Sequence, residues 1–272
     1  MYIYDKVKSK SLHSLEDVVL YSDIIFLSVP TPSNEDGSIN LSYVEDALQE
    51  ISEITAGVEE AMVSLNNIIL VRSTVTPGTT ERLQQMFQNL NLVFNPEFLT
   101  ERSANFDFIN QTRFILGGDK KYTNRVADLY RWRFGDTIPV IETNYQTAEL
   151  IKYMNNCFFA TKVSFLNEMK QVSDRCEADW DRAVEGFIRD GRIGHSHMSV
   201  PGPDGKFGFG GKCFPKDISA MISFGNQLGL DMHTLSGVWN TNLEVRPERD
   251  WEDNDTGVAW EKSQQIEINF PD

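Results

Sequence analysis

The chain has 272 residues, of which 40% are hydrophobic and 24% are charged, and its formal net charge is −15. This length allows one large domain or two modest ones, and the composition is ordinary for a globular protein. The acidic balance argues against nucleic acid or an anionic membrane as a partner, because both are recognised by basic surface.

The first half of the chain alternates strand patterns with helix patterns. Short, nearly continuous apolar runs predict strands at 23–29, 67–73 and 91–96, with further candidates at 1–5 and 112–118. Helices are predicted at 41–54, capped by Asn40 or Ser42, and at 76–90, opening with Thr76 and Pro77. This alternation is typical of βαβ units and predicts a doubly wound parallel sheet.

After about residue 142 the pattern becomes helical. One long helix over 143–178 is apolar around much of its circumference, so we expect it to be buried between two subunits of a homodimer. Shorter helices are expected over 179–190 and after Asp217. The expected domains are residues 1–140, an all-helical dimerisation domain at 141–246, and an acidic tail at 247–272, for which we expect disorder.

Neither a membrane span nor a secretion signal is recognisable. No apolar run is long enough to cross a bilayer, and the opening MYIYDKVKSK lacks a signal-peptide pattern. We therefore expect a cytoplasmic protein. Three widely spaced cysteines without metal-binding spacing predict reduced thiols and no metal site.

The stretch FGFGGKCFPKD, residues 207–217, carries the most chemical information. Its glycines let the backbone approach a ligand closely, and Pro215 is suited to the start of a helix. A helix N-terminus with lysines nearby favours the thiolate form of Cys213, which would make it a nucleophile. The alternative interpretation is a buried, inert thiol, the commoner situation for a single cysteine.

This loop resembles the active-site loop of the UDP-glucose 6-dehydrogenases and their nucleotide-sugar dehydrogenase relatives. The same resemblance extends over residues 2–250 through SVPTPSNEDGSINLSYVE (28–45), RSTVTPGTTERL (72–83), NPEFLTERSA (95–104) and AELIKYMNNCFFATKVSFLNE (148–168). It implies NAD as cofactor and a double oxidation at C6 of a UDP-sugar. CFPKD favours UDP-glucose, and GDP-mannose is the alternative because its dehydrogenases have a similar string. The short loop before Cys213 also resembles versions from viruses and phages.

The resemblance also implies roles for individual residues. Cys213 matches the nucleophile that forms a thiohemiacetal and then a thioester. The other residues implied to be catalytic are Lys152 and Asn156, which hold the reacting oxygen, and Asp217, Thr74 and Glu97, which act on water. The implied cofactor contacts are Asp5, Thr31, Thr74, Glu101 and Lys216. The implied substrate contacts are Glu97, Phe98, Leu99, Lys152, Asn156, Phe207 and Gly210.

Each of these roles has an ordinary structural alternative. Lys152 can pair with Glu149 on a solvated helix face, and Thr74 and Thr76 can merely cap the following helix. Glu97 can be a surface carboxylate, and Asn156 can satisfy a helix backbone.

The sequence departs from the family pattern at both ends. It has no GxGxxG fingerprint, and MYIYDK resembles the end of the second strand, with Asp5 at the ribose-binding position. We therefore expect an incomplete Rossmann-like sheet without a pyrophosphate cradle. Only 17 residues follow Asp255, too few for the second α/β domain of the family. Two interpretations follow: an incomplete dehydrogenase, or a non-catalytic module that dimerises or binds nucleotide sugars.

Overall fold

The structure is a computed structural model that describes residues 1–60, 65–252, 265, 266 and 268, without the side chains of residues 59, 60 and 101. The chain divides into two compact units. Unit 1 comprises residues 1–31 and 40–152, and unit 2 comprises residues 32–39 and 153–272. The boundary at 152/153 falls within one long helix, α6, Tyr145–Arg175.

Unit 1 is a sheet covered by helices. Its strands are β1 Ile24–Leu27, β2 Ile68–Val71, β3 Leu92–Phe94, β4 Phe114–Gly118 and β5 Val140–Thr143, hydrogen-bonded in that order. Its helices are α1 Leu15–Tyr21, α2 Ser42–Glu60, α3 Thr79–Met86, α4 Ala104–Ile109 and α5 Lys120–Phe134, with a 3₁₀ turn at Glu101–Ser103 and the first turns of α6. The α/β, Rossmann-like class is confirmed.

The sheet is mixed and not wholly parallel. Strands β1, β2 and β3 run parallel, but β4 pairs antiparallel with β3, with Phe94 opposite Gly117. The prediction of a purely parallel sheet is therefore wrong at this strand. The candidate strand at 1–5 is also absent, because the backbone of Ile3 bonds to Leu12 and His13 rather than to a neighbouring strand.

The central strand β2 shows why the apolar runs form this sheet. All four of its residues are buried, and successive side chains point to opposite faces. Ile69 and Val71 pack in a cluster with residues of α2, α3 and α6, whereas Ile68 and Leu70 pack with α5. Burying each such side chain contributes roughly 1.5–3 kcal/mol.

Two predicted helices of unit 1 differ from the observed ones only at their ends. Asn40 caps α2 by accepting a hydrogen bond from the backbone N–H of Ser42 at 2.9 Å, and the helix continues to Glu60. Helix α3 begins at Thr79, later than predicted, because Gly78 at its N-cap is left-handed with φ of 92°.

Gly117 gives a testable packing constraint in unit 1. A Cβ at this position would lie 2.6 Å from the Cβ of Ala148 and 2.9 Å from the carbonyl oxygen of Asn144. We expect Gly117→Ala to lower the free energy of unfolding by about 1–3 kcal/mol, measured by urea denaturation. Gly57→Ala is the control: the site is open and lies within α2, so stability should rise by about 0.5–1 kcal/mol. Equal changes in both variants would contradict the close contact between β4 and α6.

Unit 2 is helical, as predicted. It contains α6 from Tyr153 onward, α7 Trp180–Ile188, α8 Phe214–Gln227, α9 His233–Val245 and a 3₁₀ turn at Asp250–Glu252. Trp251 is fully buried, with its ring centre 5.6 Å from that of Trp239, so disorder was the wrong expectation for this part of the tail. The expectation for 253–264, 267 and 269–272 lies outside the described residues. None of the helices in the described ranges is long and apolar enough to cross a membrane.

Candidate active site

The carboxyl ends of β1 and β2 are joined by a side-chain contact in unit 1. The Ser73 hydroxyl donates to the carbonyl oxygen of Val29 at 2.7 Å and accepts from its N–H at 3.0 Å. The predicted residues Thr31 and Thr74 lie in these two loops, and Thr31 is buried while Thr74 is half-buried. Doubly wound sheets bind their ligands at the carboxyl ends of the strands, and both hydroxyls lie in loops that follow these ends.

Lys152 lies on α6 with its ammonium turned into unit 1. The side chain is only 6% exposed, and Nζ donates to the carbonyl oxygen of Glu97 at 2.6 Å, with Phe98 close by. The alternative of a solvated Lys152–Glu149 pair is wrong, because Glu149 is fully buried and binds backbone N–H groups elsewhere. The structure therefore brings Lys152 to the loop after β3 that contains Glu97, Phe98 and Leu99.

A buried arginine, missed by the sequence analysis, supports the same loop. Arg72 at the end of β2 donates to Oδ1 of Asn95 at 2.5 Å, and the Tyr130 hydroxyl donates to the same oxygen at 2.6 Å. Burial raises the pKa of Tyr130 to about 12, which keeps its hydroxyl a donor. Arg72 Nη2 also lies 4.0 Å from Oε2 of Glu97, whose side chain is exposed. The sequence feature that could have identified Arg72 is its position directly after a buried strand.

In unit 2, Cys213 is exposed at the head of α8. It is the N-cap residue, Pro215 lies in the first turn, and the N–H of Asp217 donates to the carbonyl oxygen of Cys213 at 2.9 Å. The alternative of a buried thiol is therefore wrong for Cys213, although it fits Cys157, whose pKa is raised by burial. All three cysteines are in the described part of the chain, and none is in a disulfide.

Asp217 is a buried carboxylate one helical turn after Cys213. It is 1% exposed, and its two oxygens accept from Asn156 Nδ2 at 2.6 Å and from Lys216 Nζ at 2.5 Å. A buried carboxylate is stable only when it is paired and hydrogen-bonded, and here both conditions are met. Unit 2 thus brings together four predicted residues: Asn156, Cys213, Lys216 and Asp217.

The glycine loop before Cys213 is held by polar side chains that the sequence analysis missed. Asn242 accepts from the N–H of Phe209 at 2.7 Å and donates to its carbonyl oxygen at 2.9 Å. Arg246, almost fully buried, bonds Asp204 at 2.7 Å and Asp250 at 2.6 Å, and Asp250 accepts from the N–H of Gly211 at 3.0 Å. Although burial opposes it, Arg246 lowers the pKa of both carboxyls. The sequence feature that could have identified Arg246 and Asp250 is the charged string VRPERD, residues 245–250.

The remaining predicted residues are less constrained. In this loop Phe207 is exposed and Gly210 is half-buried. Asp5 is half-buried and accepts from the N–H of Val7 at 2.7 Å, closing a local turn. Glu101 lies in a 3₁₀ turn, and its side chain is outside the described part of the structure.

The chain matches two consecutive domains of one known protein family. Residues 3–133 match the NAD binding domain of the UDP-glucose/GDP-mannose dehydrogenase family, and residues 146–244 match the central domain of the same family. The chain belongs to the UDP-glucose/GDP-mannose dehydrogenase family. The prediction of NAD as the cofactor is confirmed, since residues 3–133 match the NAD binding domain of this family.

Individual relatives agree with this assignment. A UDP-glucose 6-dehydrogenase of Bacillus subtilis is 32% identical over 237 residues, which is 84% of this chain and 50% of that protein. One from Rickettsia prowazekii is 33% identical over 248 residues, which is 89% of this chain and 54% of that protein. The structure of a UDP-glucose dehydrogenase from Pyrobaculum islandicum aligns with a TM-score of 0.74 at 32% identity, covering 87% of this chain and 54% of the other. The chain spans about half the length of each of these proteins.

Proposed function

We propose that this chain carries the catalytic residues of an NAD-dependent nucleotide-sugar 6-dehydrogenase, which converts the C6 alcohol of UDP-glucose to a carboxylate. One observation supports this most strongly. An exposed cysteine heads a helix whose first turn contains a buried carboxylate held by an amide and an ammonium. An inert thiol needs neither exposure nor such a neighbour.

The loops after β1 and β2 fit the nicotinamide half of NAD, because they present buried or half-buried hydroxyls at the carboxyl edge of the sheet. When bound, NAD accepts one hydride in each of the two oxidations. Thr31 and Thr74 would contact it there, with Asp5, Glu101 and Lys216 as further proposed contacts.

The residues of the chain perform the covalent chemistry. The sulfur of Cys213 forms a bond to the aldehyde carbon left by the first oxidation, and the carbonyl oxygen takes up a proton, which gives a thiohemiacetal. The second oxidation leaves a thioester on the same sulfur. Water then adds to the carbonyl carbon, the C–S bond breaks, and the carboxylate leaves while the sulfur becomes a thiol again.

The other proposed residues stabilise charge or act on water. Lys152 and Asn156 hold the reacting oxygen, because a positive charge and an amide donor stabilise the developing oxyanion. Asp217 and Glu97, with the Thr74 hydroxyl, orient the attacking water and take its proton. Phe98, Leu99, Phe207 and Gly210 line the sugar nucleotide.

We also propose that the chain forms a homodimer through α6. Six apolar side chains are exposed on this helix: Leu150, Met154, Phe158, Phe165, Met169 and Val172. Their spacings of four, four, seven, four and three residues place them on one face. An apolar stripe of this length on the surface of a protein is typical of an interface.

The proposal is tested by absorbance at 340 nm with the purified chain, NAD⁺ and UDP-glucose, and with GDP-mannose as the competing substrate. We expect two NADH per UDP-glucose, and slower turnover of GDP-mannose. Absence of NADH together with absence of NAD binding in calorimetry would refute the catalytic proposal. A chain that binds UDP-glucose but not NAD would instead be the non-catalytic module.

A further inference from the structure

We propose that Glu149 is a positioning residue: its carboxylate fastens the loop after β2, which carries Thr74, to the first turns of α6, which carry Lys152. The catalytic roles of Thr74 and Lys152 rest on the proposed function, whereas the hydrogen bonds of Glu149 do not depend on it. The three residues all lie in unit 1.

The carboxylate of Glu149 accepts two backbone hydrogen bonds. The side chain is fully buried, Oε2 accepts from the N–H of Gly78 at 2.6 Å, and Oε1 accepts from the N–H of Thr80 at 2.8 Å. Gly78 is the N-cap of α3, so the carboxylate satisfies N–H groups that the helix itself leaves unpaired. A negative charge at this end of a helix is also favoured by the helix dipole.

These contacts hold the loop after β2 at its far end, and Ser73 holds it at its near end through Val29. Thr74 therefore lies between two fixed points that are only five residues apart, Ser73 and Gly78. A short segment fixed at both ends has little freedom, and a displacement of about 1 Å in a reacting group can cost about 10²-fold in rate.

Helix α6 holds a second loop one turn further on. Lys152, three residues after Glu149, donates to the carbonyl oxygen of Glu97 at 2.6 Å. The start of α6 thus binds the loop after β2 through a carboxylate and the loop after β3 through an ammonium. The loops that carry Thr74 and Glu97 are therefore both held by the same turn of α6.

The charge of Glu149 changes near neutral pH. Burial raises its pKa to about 7, opposed by the hydrogen bonds from Thr80 and Gly78 and assisted by the nearby carboxylate of Glu81 on α3. Tyr145 and Lys152 are the other titratable groups nearby on α6. Protonation converts one acceptor oxygen into an O–H group, so one of the two backbone contacts weakens as the pH falls below about 7.

The first test uses the unaltered chain and nuclear magnetic resonance. We expect the amide resonances of Gly78 and Thr80 to shift together between about pH 5.5 and about 8.5, with a common midpoint near the pKa of Glu149. In Glu149→Gln this shift disappears. In the matched control Glu81→Gln the midpoint moves to lower pH, because a like charge is removed. Amides that do not shift in the unaltered chain would overturn the proposal, whether or not the Glu149→Gln variant folds.

The second test separates positioning from a merely structural role. We expect Glu149→Gln to lower kcat for NADH formation about tenfold or more with little change in KM, and to remove the inflection near neutral pH from the rate profile. Glu81→Gln, which removes a carboxylate bonded to Gln146 on the surface, should leave kcat unchanged. If the unaltered chain forms no NADH, the proposed function fails, while the amide titration still decides the role of Glu149.

Discussion

We expect Cys213→Ala to abolish formation of the sugar acid, and Cys176→Ala to leave its rate unchanged. Cys213 alone among the three cysteines combines exposure with a position at the head of a helix. Without the sulfur no thioester can form. Loss of a covalent nucleophile typically costs about 10⁴- to 10⁶-fold in kcat, far more than loss of a positioning contact.

The measurement is quantification of the acid product by chromatography after incubation with NAD⁺ and UDP-glucose. Cys176 is the matched control, because it is also exposed but has no buried carboxylate one turn away. Intact-mass spectrometry adds an independent check, since a covalent sugar adduct is expected on the unaltered chain and not on Cys213→Ala. Acid formation by Cys213→Ala at the normal rate would exclude the thioester route.

We expect Phe158→Asp to convert the proposed dimer to a monomer. Phe158 is 62% exposed near the middle of the apolar stripe on α6, and a charge placed there would be buried in the interface without a partner. Substitution at the centre of an interface commonly costs about 2–4 kcal/mol, which raises the dissociation constant by about 30-fold to about 10³-fold.

Sedimentation at micromolar concentration checks this prediction. Trp132→Asp is the control, because Trp132 is 80% exposed on α5 and lies outside the stripe. We expect that variant to sediment like the unaltered chain. A monomeric unaltered chain, or a dimeric Phe158→Asp variant, would each contradict dimerisation through this face.

Strands β1 to β4 were predictable because each is a local apolar run, and β2, β3 and most of β4 are buried on both faces. Strand β5 was missed, because its four residues are only half-buried or exposed. β2 is the clearest case, with all four residues buried. Strand direction was not predictable, because the antiparallel pairing of β4 depends on the path of the intervening chain rather than on its own residues. Helix α5 was missed because its fifteen residues are mostly polar, with a buried stripe limited to Thr123, Val126, Ala127 and Tyr130.

Some residues of the candidate site were likewise predictable from the sequence, and others were not. Cys213, Asp217 and Lys152 stand in strings specific enough to identify from sequence. Arg72 and Arg246 were missed because their importance comes from partners distant in the chain: Arg72 bonds Asn95, and Arg246 bonds Asp204. A buried arginine and an exposed one look alike in a single sequence, since only the fold determines which carboxylates or amides surround it.

The polar side chains of Asn242 and Arg246, which hold the glycine loop, restrict the substitutions that this loop can tolerate. A Cβ at Gly208 would lie 2.4 Å from Oδ1 of Asn242, and one at Gly210 would lie 2.4 Å from Nη2 of Arg246. Gly205 has no atom within 4 Å of such a Cβ, although its positive φ of 78° still strains other residues. In a saturation library across this segment, positions 208 and 210 should therefore retain glycine almost exclusively, while position 205 should also accept asparagine and aspartate, which tolerate the left-handed backbone.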